Sequence, residues 1–181
     1  YQMKNSSPGT FWVGWTDPGL QSEVYKVQRF DVRGAPLLEP AGGIEILTFN
    51  YDSGIAGISP DPDGGAYFFW QTGDYFISDL HYTHLTPEGI PSRDEYGDTG
   101  VFLTNAYLRQ SELRFCPDGE GGVLAAWEDN RGSLVWEQES DIYCMRINDY
   151  STSAEYNSNR AIPANWSVSA AYPLSLIHIS E

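Results

Sequence analysis

Positive charge is scarce in this chain. Ten lysines and arginines stand against 25 aspartates and glutamates in 181 residues, with three histidines, for a formal charge of −15. A phosphate-gripping surface needs an excess of Lys and Arg, so neither nucleic acid nor an anionic membrane is expected as a partner. No run of about 18 apolar residues occurs, so no membrane-spanning helix is expected. The only cysteines are Cys116 and Cys144. No Ser/His/Asp or Cys/His arrangement of the kind that builds a nucleophile can be placed, and no 3.6-residue apolar period runs between the apolar stretches. Charged residues are only 19% of the chain, against 14% aromatics and 18 glycines with 11 prolines. That balance suits short strands and tight turns rather than disorder.

What is present is a repeat. Residues 116–127 run Cys116-Pro117-Asp118-Gly119-Glu120-Gly121-Gly122 into an apolar strand ending at Trp127, and residues 59–70 match them position for position, ending at Trp70. A worn copy at 4–15 keeps Gly9 and Trp15. The three tryptophans are spaced 55 and 57 residues apart. Self-similarity at such a period is the signature of a repeat architecture.

Three units follow: residues 1–49 as a partial first unit, 50–104 as a second and 105–170 as an incomplete third. A tail at 171–181 matches no part of the repeat and resembles translated adapter sequence. Predicted strands are 11–15, 23–30 and 44–49, then 55–59, 66–70, 75–85 and 101–104, then 112–116, 123–127 and 141–147, with an outer strand starting near 166–169. The strands Ala66–Trp70 and Val123–Trp127 are apolar at both parities. A sandwich strand alternates because one face meets water, whereas a propeller blade packs against a neighbour on each side. The predicted fold is therefore all-β, a β-propeller fragment of about three four-stranded antiparallel blades. Propellers close with roughly four to eight blades. The chain starts at Tyr1 without an initiator Met, so the remaining blades are expected in a longer parent chain.

The third unit reads Asp118-Gly119-Glu120-Gly121-Gly122, then Trp127-Glu128-Asp129, then Asp141-Ile142-Tyr143-Cys144-Met145-Arg146. The second keeps Asp63-Gly64-Gly65, Trp70 and Asp79-Leu80-His81, with His84 in the place of Arg, and the first keeps Trp15, Asp17 and Arg29. Over about residues 4–150 this resembles the repeat units of secreted bacterial β-propeller proteins. The resemblance implies the propeller fold and an exported setting, secreted or at the cell surface. Proteins with such repeats vary in activity.

Candidate sites divide into recurrent and unique residues. Asp61, Asp63, Asp118 and Glu120 lie in glycine-assisted turns, where oxygen ligands for calcium are often presented; the same carboxylates also cap their own turns without any ion, the reading preferred here. Trp15, Trp70 and Trp127 recur once per unit and are expected between blades. Arg29, His84 and Arg146 recur too and are expected to pair with acids. Cys116 and Cys144 fall on non-adjacent strands, beyond disulfide reach, and are expected as two buried thiols. The connection 128–140 is unique: it has 13 residues where its counterpart at 71–74 has four. It offers Asp129, Arg131, Trp136 and Glu137 as binding residues, Arg131 for a carboxylate or hydroxyl pair and Trp136 for an apolar face, with Trp136 packed back over the blade edge as the equal alternative. The expected function is a non-catalytic binding or scaffold propeller with a protein or glycan ligand and no cofactor beyond possible calcium. The alternative is part of a carbohydrate-active propeller enzyme, since 25 acids are present but no feature selects a catalytic pair.

Overall fold

The computed structural model describes residues 2–6, 9–18, 22–49, 54–74, 76–92, 100–131, 140–148 and 172–173. Among them the chain is all β, with no helix. Twelve strands form three four-stranded antiparallel sheets. The first sheet holds β1 (Gln2–Asn5), β2 (Thr10–Pro18), β3 (Glu23–Asp31) and β4 (Ile44–Phe49) in chain order. The second holds β5 (Gly54–Pro60), β6 (Ala66–Gly73), β7 (Ser78–Leu85) and β8 (Val101–Thr104), again in order. In the third, β9 (Gln110–Pro117), β10 (Val123–Asp129), β11 (Asp141–Ile147) and β12 (Tyr172–Pro173) repeat that meander.

Two elements depart from the sequence expectation. The first sheet, expected to be partial, has four strands, because Gln2–Asn5 pairs with Phe11–Gly14. The tail expected to lie outside the repeat supplies the fourth strand of the third sheet, with Tyr172 opposite Cys144 and Pro173 opposite Tyr143. Strand pairing is made by backbone groups, so a free edge accepts a segment whose side chains carry no repeat pattern. Residues 166–169 and 174–181 lie outside the described residues.

The repeated Asp-x-x-Gly-Gly turn has a geometric cause. Gly64 and Gly121 both sit at φ +95°, where a side chain strains the backbone. The next residue in each unit is a glycine for a different reason. A Cβ on Gly65 would lie 2.3 Å from the Leu85 carbonyl oxygen, and one on Gly122 would lie 2.3 Å from that of Ile147. The turn between the first two strands is thus pressed against the end of the third strand, and only glycine fits there.

Packing follows the parity of the strands. Trp12, Tyr25, Val27 and Leu47 of the first sheet form one core with Ala66, Phe68 and Trp70 of the second. Tyr67, Phe69, Leu80 and Tyr82, on the opposite face of the second sheet, form another with Val123, Ala125, Trp127 and Tyr143 of the third. The second sheet is therefore buried on both faces, which is why β6 shows no alternation. Trp70 faces the first sheet and Trp127 faces the second, so each points toward the sheet that precedes it in the chain. Trp15 points the same way, meets no preceding sheet among the described residues, and is only half-buried. At the seam, Trp12 meets Phe68 edge to face with ring centroids 5.3 Å apart and donates Nε1–H to the Gly64 carbonyl at 3.1 Å.

Candidate functional site

The recurrent acids are turn residues. Asp118 Oδ1 accepts the backbone N–H of Glu120 at 2.7 Å and of Gly122 at 2.8 Å. Its Oδ2 accepts Arg146 Nε at 2.6 Å, while Arg146 Nη2 reaches Glu120 at 2.6 Å. Burial works to raise the Asp118 pKa, but the N–H groups of Glu120 and Gly122 and the Arg146 guanidinium together hold it below the usual carboxylate range. Asp61 repeats the arrangement: Oδ1 accepts Gly65 N–H at 3.0 Å, and Oδ2 lies 2.6 Å from His84 Nε2. His84 replaces Arg at this position and still meets the same carboxylate, with its ring stacked 4.1 Å from that of Tyr67. Asp63 is exposed at the turn. Among the described residues no group of three His, Cys, Asp or Glu side chains is placed to hold a metal ion. In the first unit Ser6 stands where the others have Asp61 and Asp118, and Arg29 donates to the Pro87 carbonyl at 3.2 Å and to Thr10 Oγ1 at 3.1 Å.

The Trp-x-Asp element builds a second local device. Asp129 is 1% exposed. Its Oδ2 accepts Trp127 Nε1–H at 3.0 Å and Arg131 Nη2, and its Oδ1 accepts Arg131 N–H at 2.9 Å. The Arg131 guanidinium also donates to Thr104 Oγ1 of the second sheet at 3.0 Å and lies 4.2 Å over the Tyr143 ring. Trp15 and Asp17 repeat the clasp at 3.1 Å, with Lys26 completing it at 2.7 Å from Asp17. The structure therefore brings Asp129 and Arg131 together in a bracket between the second and third sheets, with their polar groups turned to this chain. Trp136 and Glu137 lie outside the described residues, as does most of the connection that carries them.

Sequence reasoning missed a cleft of about 230 Å³ at the other end of the sheets. Its walls include Asn5, Ser6, Pro60, Pro62, Pro117 and Gly121. Asn5, Pro60 and Pro117 occupy the same repeat position in the three units. The first strands of the three sheets lie side by side, β1 against β5 and β5 against β9, so equivalent turns converge. The signal in the sequence was the Pro before each turn acid. Only the approach of the three first strands turns those prolines into one wall.

The cysteines correct a second expectation. Both are free thiols, as their separated strands require, but Cys116 is exposed and Cys144 half-buried. They lie with Leu124 and Ala126 on the face of the third sheet turned away from the second. Comparison with protein-family models, with curated proteins and with solved structures returned no match.

Proposed function

We propose that this chain forms successive blades of a β-propeller that binds a protein or glycan without transforming it. The observation that carries the reading is the way the three sheets mate. The second and third sheets present the same repeat positions to the sheet before them, the first strands lie together at one edge, and equivalent turns line one cleft. A ring of such sheets has its first strands around the axis, so the cleft is the mouth of the central channel. The recurrent carboxylates Asp61, Asp118 and Asp129 are engaged by donors of the chain itself, which supports a framework role for them. Beside Asn5, Ser6 and Asp61, the cleft is walled by three proline rings and by glycine backbone, and rigid walls lower the ordering cost of binding. In this reading the resemblance of the repeats to those of secreted bacterial propellers supports an exported setting.

Glycan and peptide arrays probed with the chain test it. Saturable capture of a ligand that is recovered intact is expected. Capture should fall when Asn5, which is exposed at the cleft, is changed to Trp and fills it. Release of new reducing ends from a polysaccharide would replace the binding reading with an enzymatic one.

A further inference from the structure

The wall of the cleft has a chemistry that selects among ligands. Pro60, Pro62 and Pro117 line it, with glycine backbone and the side chains of Asn5, Ser6 and Asp61. Among these lining residues none is aromatic and none carries a positive charge. A sugar ring is gripped by laying its C–H face on an aromatic side chain, and this wall has none to offer. A proline ring is the opposite partner, a C–H surface for an aromatic face. Proline-rich segments docked in aromatic-lined grooves use that contact, here with the two sides exchanged. Size agrees. At about 230 Å³ the cleft lies below the roughly 300–1,000 Å³ of sites that enclose a drug-sized molecule, so it suits one ring system better than a chain of sugars.

Hydrogen bonding and charge narrow the choice further. Proline has no N–H to give. Ser6 spends its hydroxyl proton on the Gly64 carbonyl at 3.2 Å, and Asp61 is occupied by the Gly65 N–H and His84. The Asn5 amide is the side-chain donor left among the lining residues, which favours a ligand that brings its own N–H. Within two residues of the lining positions along the chain stand Asp63, Asp118 and Glu120 against Lys4 alone. Asp63 is exposed beside Pro62, and Glu120 is 74% exposed between two lining glycines. The mouth is thus acidic, on a chain of formal charge −15. Opposite charge on a partner would steer it there and fix its register. Resting on the binding reading above, we propose that the cleft takes one tryptophan side chain from a basic segment of a partner protein. The indole face lies on the proline rings and its N–H donates to an oxygen of Asn5 or Ser6. Lysines or arginines flanking that tryptophan meet Asp63 and Glu120.

Calorimetric titration of the 181-residue chain with a blocked tripeptide, tryptophan between two lysines, tests this directly. Saturable binding is expected. Leucine in place of the tryptophan should weaken it at least about tenfold, the loss of an aromatic anchor. Glutamates in place of the lysines should weaken it about as much at low salt, with the effect shrinking as salt is added. Nuclear Overhauser contacts from the indole protons to Pro60, Pro62 and Pro117 are expected, a readout that needs no variant. Asn5→Trp should abolish binding, and Asp63→Lys should weaken the lysine-flanked peptide while sparing a serine-flanked one. Equal binding of the tryptophan and leucine peptides would overturn the proposal, as would indole contacts away from the three prolines or no peptide binding at all. Glycans titrated in parallel separate the levels. A glycan bound at the cleft and lost in Asn5→Trp sinks the tryptophan proposal alone, while failure of peptides and glycans alike sinks the binding reading with it.

Discussion

Asp118 shows how one side chain serves two purposes at the residue scale. It closes its own turn through two backbone N–H groups and ties that turn to the third strand through Arg146. Its folded pKa is depressed, so its contribution is complete above the unfolded value of about 3.9 and is lost as pH falls through the lower folded value. Acid titration of the Asp118→Asn variant, followed by tryptophan fluorescence, should therefore show less loss of stability below about pH 4 than the parent chain shows. Asp129 makes a sharper case, because its carboxylate is buried beneath Arg131 and Trp127. Asp129→Ala leaves the Trp127 N–H and a partly buried guanidinium without their acceptor. Chemical denaturation should register a cost of about 3–5 kcal/mol, the range for breaking a buried pair from one side.

At the scale of the element, the unit is a turn locked against the strand two places on. Gly122 makes the lock possible by letting the Ile147 carbonyl approach where a Cβ would stand. Gly122→Ala must push the turn away from β11. A loss of about 1–3 kcal/mol is expected from overpacking, measured by urea unfolding, with the same substitution at Gly119 costing less because nothing lies within 4 Å of its Cβ position. Trp127 closes the seam between sheets, 1% exposed and stacked 6.3 Å from Tyr143. Trp127→Ala should cost about 3–5 kcal/mol. Trp15→Ala in the same assay should cost clearly less, since that ring faces outward.

For the whole molecule, stability is greatest where a sheet is covered twice. The second sheet meets the first through Ala66, Phe68 and Trp70 and the third through Tyr67, Phe69 and Tyr82. Local opening of that sheet must break both seams, while the first and third sheets can each open by breaking one. Amide exchange should therefore be slowest in β6 and β7. Faster exchange there than in β2 or β10 would contradict this order of seams.

The repeat was written in the sequence because its causes are local and recurrent. A glycine at φ +95°, a second glycine under a carbonyl and an acid capping its own turn each demand a particular residue at a particular place. The all-β class, the three units and the pairing of His84 and Arg146 with acids were legible on those grounds. Burial was not. Trp15, Trp70 and Trp127 are the same residue at the same repeat position, yet only two are buried, because burial depends on whether a sheet lies in front. Cys116 and Cys144 read as buried thiols for the same reason and emerge, one exposed and one half-buried, on the face turned away from the second sheet. The two-residue strand at Tyr172–Pro173 carries no repeat pattern and the strand at Gln2–Asn5 keeps the repeat's place without its residues, since an edge strand is held by its backbone. The cleft likewise required the tertiary structure. Asn5, Pro60 and Pro117 stand 55 and 57 residues apart along the chain, and only the side-by-side approach of three first strands gathers them at one opening.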